Sequence, residues 1–312
     1  MAVRFGVQLW QEEFDLRRLR ETVSEVEAMG YDSVWIYDHF YPMSRVTGKY
    51  IPEAWTLLTY LASESNRIRL GILMSCNSYR PPAILAKIAA TVDVISQGRL
   101  EFGIGAGWYK EEYDAYGIPF QNYKIRLERL DEAVELVKRV WTQEEANFRG
   151  NYYTIKDLAS FPKPVQKPHP SIWIGGKGEP LLKIVARHAD YANLLGCDPI
   201  EYREKLDVLR RQCSQVGRNF DHIRKSWHGF VIIGKKEEVR KKALRFKEES
   251  SIQATREMSF ENFLRTTITG TPEECIEKMQ RYVDSGATYF IPHFPDRETL
   301  DTFVEKVIPA FK

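Results

Sequence analysis

The chain predicts an α/β fold, a (β/α)8 barrel of the TIM type, and three observations lead there. Short, near-continuously apolar segments alternate with helical ones along almost the whole length, as strands covered on both faces by helices must. Eight such strands can be counted, at residues 3–10, 33–37, 68–74, 99–104, 171–174, 191–195, 223–233 and 288–291. The total of 312 residues is the size at which eight β/α units with two insertions form one barrel. A doubly wound open sheet is the alternative, but it rarely needs eight such even units.

Taken in order, VRFGVQLW (3–10) is a β-rich buried strand. Asp15 is placed to cap a helix over 16–29 that Gly30 ends. SVWIY (33–37) is the second strand, followed by Asp38-His39 and a loop at 41–50. A helix at 54–63 and a strand at 68–74 come next. Pro81-Pro82 opens a helix over 83–95, and Gln97-Gly98 turns into the strand RLEFGI (99–104). A loop at 105–120 precedes a long helix at 124–141. Residues 144–158 read as a hairpin around Arg149-Gly150. The segment 161–170 contains four prolines and is therefore an extended surface connection. Strand 171–174 then runs into Gly175-Gly176-Lys177-Gly178 and a helix to 188. Strands 191–195 and 223–233 flank a helix at 199–216, with a break expected at Gly229. A polar helical region fills 236–265. Thr271-Pro272-Glu273-Glu274 is a capped helix start for 273–285, not a P-loop, since it lacks the lysine and the spacing. The strand at 288–291 and a helix at 297–310 finish the chain. One barrel domain over 1–312, with insertions near 143–170 and 236–270, is the expectation.

Composition narrows the function. The chain is 43% hydrophobic and 28% charged, an ordinary globular balance. Forty-five basic residues against 43 acidic ones give a net charge of +2, which supplies no basic surface for nucleic acid or for an anionic membrane. The four cysteines form no CxxC pair, and no histidines cluster at metal spacing, so neither a structural metal nor a disulfide framework is expected. No leader or membrane span is evident, and a cytoplasmic setting is expected.

In such a barrel, ligands bind at the C-terminal ends of the strands. Those ends carry Gln8-Leu9-Trp10, Asp38-His39, Met74-Ser75-Cys76, Gly105-Ala106-Gly107-Trp108, Gly175-Gly176, Leu195-Gly196, Trp227-His228 and Pro292-His293. This rim is aromatic and glycine-rich. It has no acid pair for glycoside hydrolysis, no ligand set for a divalent metal and no lysine for Schiff-base chemistry. A strand, a glycine turn and a helix N-terminus suit an anion such as phosphate, although a tight turn without ligand has the same pattern. A flat, apolar, phosphate-bearing cofactor supplying its own chemistry is the reading that remains.

Four stretches carry a resemblance to a known family: GYDSVWIYDHFYP (30–42), IRLGILMSCNSYRPPAILAKIAATVDVISQGRLEFGIGAGWYKEEYDAYGIPF (68–120), FPKPVQKPHPSIWIGGKGE (161–179) and TGTPEECIEKMQRYVDSGATYF (269–290). In number and order they resemble the luciferase-like flavin and deazaflavin oxidoreductases, whose fold is also a (β/α)8 barrel. The branch most alike depends on coenzyme F420 and includes methylenetetrahydromethanopterin reductase and F420-dependent glucose-6-phosphate dehydrogenase. By resemblance, Asp38 contacts the deazaflavin ring and His39 handles the proton. Leu73-Met74 falls where that branch has a non-prolyl cis peptide behind the ring. Cys76, Ala106 and Gly107 match ring and backbone contacts, and Gly175, Gly176, Gly178 and Glu179 match the phosphate loop. One departure is clear: the catalytic glutamate of the sugar-phosphate dehydrogenases aligns with Trp108, so that activity does not transfer.

The resemblance implies hydride transfer between deazaflavin C5 and a small organic substrate. FMN with dioxygen in a monooxygenase, and a flavin-binding barrel without turnover, stand as alternatives. A homodimer, formed by helices after strands two and three, and a flavin or F420 reductase as partner are further implications. Trp10, Trp108, Trp227 and His293 are expected to line the substrate pocket. Each residue also has a plainer role. His39 can bond loop backbone, Asp38 can cap the loop, and the tryptophans can fill the barrel mouth. His228 and His293 can be satisfied structural histidines, as can His169, His188 and His222. Arg80 and Arg99 are expected to pair near strand ends. Residues 248–269 are either a lid over the rim or a plain surface helix.

Overall fold

The computed structural model describes residues 2–12, 15–42, 50–250 and 252–312. Most of the loop expected at 41–50 lies outside these. Its strands are β1 (Arg4–Gln8), β2 (Ser33–Ile36), β3 (Arg69–Ile72), β4 (Ser75–Cys76), β5 (Leu100–Gly105), β6 (Ala146–Arg149), β7 (Thr154–Leu158), β8 (Ser171–Gly175), β9 (Tyr191–Leu195), β10 (Arg224–Ile233), β11 (Ile268–Gly270) and β12 (Tyr289–His293). Eight of them close a barrel in the order β1-β2-β3-β5-β8-β9-β10-β12 and back to β1, every pairing parallel. This is the (β/α)8 barrel that the alternation predicts.

The lumen is a solid plug. Trp35, Leu73, Trp173, Tyr191, Tyr289 and Ile291 fill it, with Met74 against them. Trp173 stacks on Tyr191 at 3.7 Å, and the edge of Trp35 meets it at 4.7 Å. A Cβ on Gly71 would lie 2.3 Å from the Trp35 ring, so glycine there is what lets the indole enter. Each large apolar side chain so buried contributes roughly 1.5–3 kcal/mol. The polar atoms inside are answered. The Trp35 indole N–H donates to Ser33 Oγ at 2.6 Å, and the Trp173 indole N–H to Glu101 Oε2 at 2.7 Å. Burial pushes the Glu101 carboxyl up, opposed by Arg69 and Trp173. With the lumen filled, a ligand cannot enter the barrel itself, and the cavity at the C-terminal mouth is bounded below by this plug.

Several local predictions hold for physical reasons. Asp15 accepts from the Arg18 N–H and caps helix Leu16–Ala28. Thr271 and Glu274 form a reciprocal capping box on helix Pro272–Asp284. The hairpin expected at 144–158 is β6 and β7, paired antiparallel. Other expectations need correction. The strand predicted over 68–74 stops at Ile72. A cis peptide joins Leu73 to Met74, and pairing resumes in β4 against Ile104 and Gly105. β10 runs unbroken through Gly229, whose missing Cβ would stand 2.8 Å from the Trp227 ring. Its far end pairs with β11, a strand the sequence reading missed. The loop expected at 105–120 contains helix Lys110–Ala115.

The insertion after β10 has its own small core. Helices Val239–Glu249 and Phe260–Thr266 gather Val239, Ala243 and Phe263 onto Ile232, with Phe230 and Phe246 beside them. Buried Phe263 makes this more than a bare surface helix. Lys278 ties its end down, donating to the carbonyls of Leu264, Arg265 and Thr267 at 2.8, 2.9 and 2.5 Å. Burial lowers that ammonium to about 8. Among the described residues no helix is long and apolar enough to cross a membrane.

Candidate active site

A cavity of about 310 Å³ opens at the C-terminal strand ends, where the filled lumen stops. Its lining sweeps from Asp38 and His39 after β2, through Leu73–Cys76 and Gly105–Trp108, to Gly175–Gly178 and on to Asn193, Leu195 and His228. Sequence reasoning named most of this crescent.

The floor is the stretch from Leu73 to Cys76, where the cis peptide sets the chain across the barrel mouth. Glycine makes room for it: a Cβ on Gly103 would lie 2.0 Å from the Ile72 carbonyl oxygen. Cys76 is buried, its Sγ 3.0 Å from the Tyr113 hydroxyl, and burial pushes its thiol up to about 12. That thiol is a wall and not a nucleophile at neutral pH. Gly107 has φ +75, and a Cβ there would meet the Tyr113 hydroxyl at 1.9 Å and Cys76 Sγ at 2.6 Å.

Residues 38 and 39 leave β2 side by side and meet opposite partners. The Asp38 carboxylate accepts from both terminal nitrogens of Arg80, at 2.7 and 3.0 Å, and from the Cys76 N–H at 3.0 Å. Arg80 also bonds Glu53, and these carboxylates raise its pKa against the burial that would lower it. Arg80 therefore pairs near a strand end as expected, and Asp38 pins the floor where β4 begins. His39 instead sets Nδ1 2.9 Å from Glu112 Oε2. Trp108 and Tyr109 approach the imidazole edge-on, at 5.6 and 5.7 Å.

The glycine turn lies opposite. Gly176 has φ +134, and a Cβ there would stand 2.3 Å from Leu181 Cδ2. Gly178 caps helix Glu179–His188, whose first N–H groups lack intrahelical partners and whose dipole favours an anion. Lys177 lines the cavity and pairs with Glu201 at 2.8 Å. The Glu179 side chain turns away toward Gln212, whose amide lies 3.5 Å from it, so only its backbone faces the turn. Behind Tyr123, which lines the cavity, the Arg126 guanidinium lies 4.2 Å over Phe120. It is almost buried, one terminal nitrogen donates to the Gln121 carbonyl at 2.5 Å, its Nε is unbonded, and it has no carboxylate partner among the described residues.

The proposed substrate-pocket residues separate. Trp108 is 61% exposed and lines the cavity. Trp227 does not. It is fully buried against Tyr282 and Phe290 on the helix side of β10, a correction that follows from strand parity, because its neighbour His228 takes the inward face. His228 lies 2.6 Å from Gln8 Oε1, and burial, aided by nearby His293, lowers it to about 3. His293 lies between Trp10, at 4.9 Å, and Phe230, at 5.3 Å. Burial lowers it to about 4, and its Nδ1 is unbonded. His293 and Trp10 border a smaller neighbouring cavity of about 170 Å³.

The sequence reading missed Glu112, Tyr79, Tyr123, Lys177 and Asn193. For Glu112 one signal existed. Tyr109 and Tyr113, both buried, stand four residues apart on either side of it, a helical spacing in a stretch read as loop. Among the described residues, no group of three or more histidine, cysteine or carboxylate side chains is arranged to hold a metal ion.

A closed parallel barrel with a filled lumen and a cavity at the C-terminal strand ends defines the class: a (β/α)8 barrel of the kind that carries a small-molecule site on its loops. The chain belongs to the luciferase-like monooxygenase family, whose model matches residues 1–289. Among curated relatives, the F420-dependent glucose-6-phosphate dehydrogenase of Microbacterium testaceum is 27% identical, covering 100% of this chain and 98% of that one. The enzyme of the same name from Kineococcus radiotolerans is 28% identical, over 99% and 97%. In fold, the chain is similar to an F420-dependent secondary alcohol dehydrogenase solved with an F420-acetone adduct, with a TM-score of 0.86, 20% identity and full coverage of both chains. The coenzyme F420-dependent tetrahydromethanopterin reductase of Methanopyrus kandleri gives the same TM-score at 18% identity, again over both full chains.

Proposed function

We propose that the protein is a coenzyme F420-dependent oxidoreductase that moves a hydride between the deazaflavin and a small organic substrate. The observation that carries this is the crescent itself: a floor at Leu73–Cys76 and, across the cavity, a glycine turn at a helix N-terminus. The full-length relatives named for F420 dependence support the same reading. The fit is specific. Residues 73–76 give the planar head a surface, with Asp38, Ala106 and Gly107 around it. Gly175, Gly176 and Gly178, with the N–H of Glu179, receive the phosphate. The Arg126 guanidinium, which donates to the Gln121 carbonyl and lies 5.7 Å from the Tyr123 ring, adds positive charge on the same side.

When bound, the deazaflavin supplies the hydride chemistry at C5. The chain's own part is to bind and orient. His39 is the proton donor or acceptor, because it lines the cavity and is held by a carboxylate on its far side. Trp108 covers the substrate side. By the sequence resemblance it aligns with the catalytic glutamate of the sugar-phosphate dehydrogenases, so a different small-molecule substrate is expected. Ile84, Val94 and Ile95, exposed on helix Pro82–Ile95, support a homodimer through that helix.

The test is anaerobic turnover of F420 with a panel of alcohols and sugar phosphates. Loss of the oxidised deazaflavin's absorbance without dioxygen is the expected result. Turnover that needs reduced FMN and consumes dioxygen would instead establish the monooxygenase chemistry of other family members.

A further inference from the structure

We propose that Glu112 is the positioning residue for His39, fixing the imidazole with its proton on Nδ1 and leaving Nε2 for the cavity. This rests on the reading of His39 as the proton-handling group. The Glu112 carboxylate is fully buried and is filled by four donors. Oε1 accepts from the N–H groups of Phe40 and Tyr41, at 2.6 and 2.9 Å. Oε2 faces His39 Nδ1 at 2.9 Å and also accepts from the Tyr79 hydroxyl.

This set decides the tautomer. A carboxylate that accepts from every neighbour obliges the nitrogen facing it to carry hydrogen. The neutral ring then has a lone pair on Nε2, which meets no partner among the described residues while His39 lines the cavity. When Nε2 takes a proton, the cation that forms lies against an anion, as in a histidine–aspartate pair of a hydrolase. Burial, with Cys76 and Glu112 nearby, pushes the Tyr79 hydroxyl well up, so it stays a donor to Oε2 across the working range. The same carboxylate holds the backbone of residues 40 and 41, and with it the direction in which His39 leaves β2.

Glu112→Gln separates positioning from folding. The amide oxygen still accepts from Phe40 and Tyr41, but an NH2 now faces His39. The measurement is nitrogen-15 NMR of histidine-labelled full-length protein, with and without the deazaflavin. Wild type is expected to show His39 protonated at Nδ1, and Glu112→Gln protonated at Nε2. Tyr79→Phe, which removes only the other donor, is expected to keep the wild-type tautomer. On any panel substrate that is turned over, Glu112→Gln is expected to lower kcat about 10²–10⁴-fold with KM unchanged. A wild-type ring protonated at Nε2 overturns the proposal even if the variant does not fold. So does a Glu112→Gln protein that keeps the Nδ1 proton or full kcat. Failure of the F420 reading would show separately, as absent deazaflavin binding with the tautomer result intact.

Discussion

The two halves of the barrel mouth are built on opposite plans. From β2 round to β9 the strand ends are rich in glycines and small residues, and the ionisable side chains there have partners: Asp38 with Arg80, His39 with Glu112, Lys177 with Glu201. From β10 through β12 to β1 they carry bulky uncharged groups: His228 on Gln8, and His293 between Trp10 and Phe230. The first half has space, backbone N–H groups and a helix dipole. The second is bulky and apolar, and burial holds its histidines neutral. The difference assigns the roles. An anionic cofactor with a flat head belongs on the glycine side, and the histidine side is a neutral wall.

The largest expected effect strikes the glycine half. Gly176→Asp puts a side chain into Leu181 and an acid beside the anion site. The deazaflavin dissociation constant should rise by at least about 10²-fold, or about 2.7 kcal/mol, in equilibrium titration. Gly217→Ala is the control. Its φ is +69 with nothing within 4 Å, so it strains the backbone only and should leave binding unchanged.

Next comes the pair of tryptophans. Trp227→Ala should cost about 3–5 kcal/mol in urea unfolding, because its indole is core. Trp108→Ala should stay within about 0.5 kcal/mol of wild type while changing KM, because its ring is exposed at the cavity. The reverse outcome would undo the assignment of these two faces.

The neutral wall predicts acid sensitivity. Folded His228 and His293 titrate at about 3 and about 4, below the ordinary 6.5. Between those values the unfolded chain binds protons that the folded chain refuses. Stability is therefore full above pH 6.5 and is lost as pH falls, down to about 4 for His293 and about 3 for His228. Each histidine should cost on the order of 2 kcal/mol at pH 5, measured by unfolding at pH 5 and pH 7. His293→Leu should reduce that difference. An unchanged difference would mean that the wall is charged after all.

The same contrast explains what could be read in the sequence. The glycine half was legible because strand, glycine turn and helix start are contiguous in the chain, as are Asp38 and His39. Glu112 was hidden because Lys110-Glu111-Glu112 looks like a solvated run. Only folding shows that Glu111 is exposed and Glu112 buried. Trp227 was misplaced by one residue. A strand covered on both faces carries large side chains on both, so nothing local says whether 227 or 228 points inward. The break in strand three was legible only by resemblance, since LGILMSC is an ordinary buried-strand sequence.

The most direct test of the central claim is equilibrium binding of the purified protein to F420 and, separately, to FMN. A preference for the deazaflavin that Gly176→Asp abolishes is the predicted result. A preference for FMN, or deazaflavin binding that survives Gly176→Asp, would contradict it.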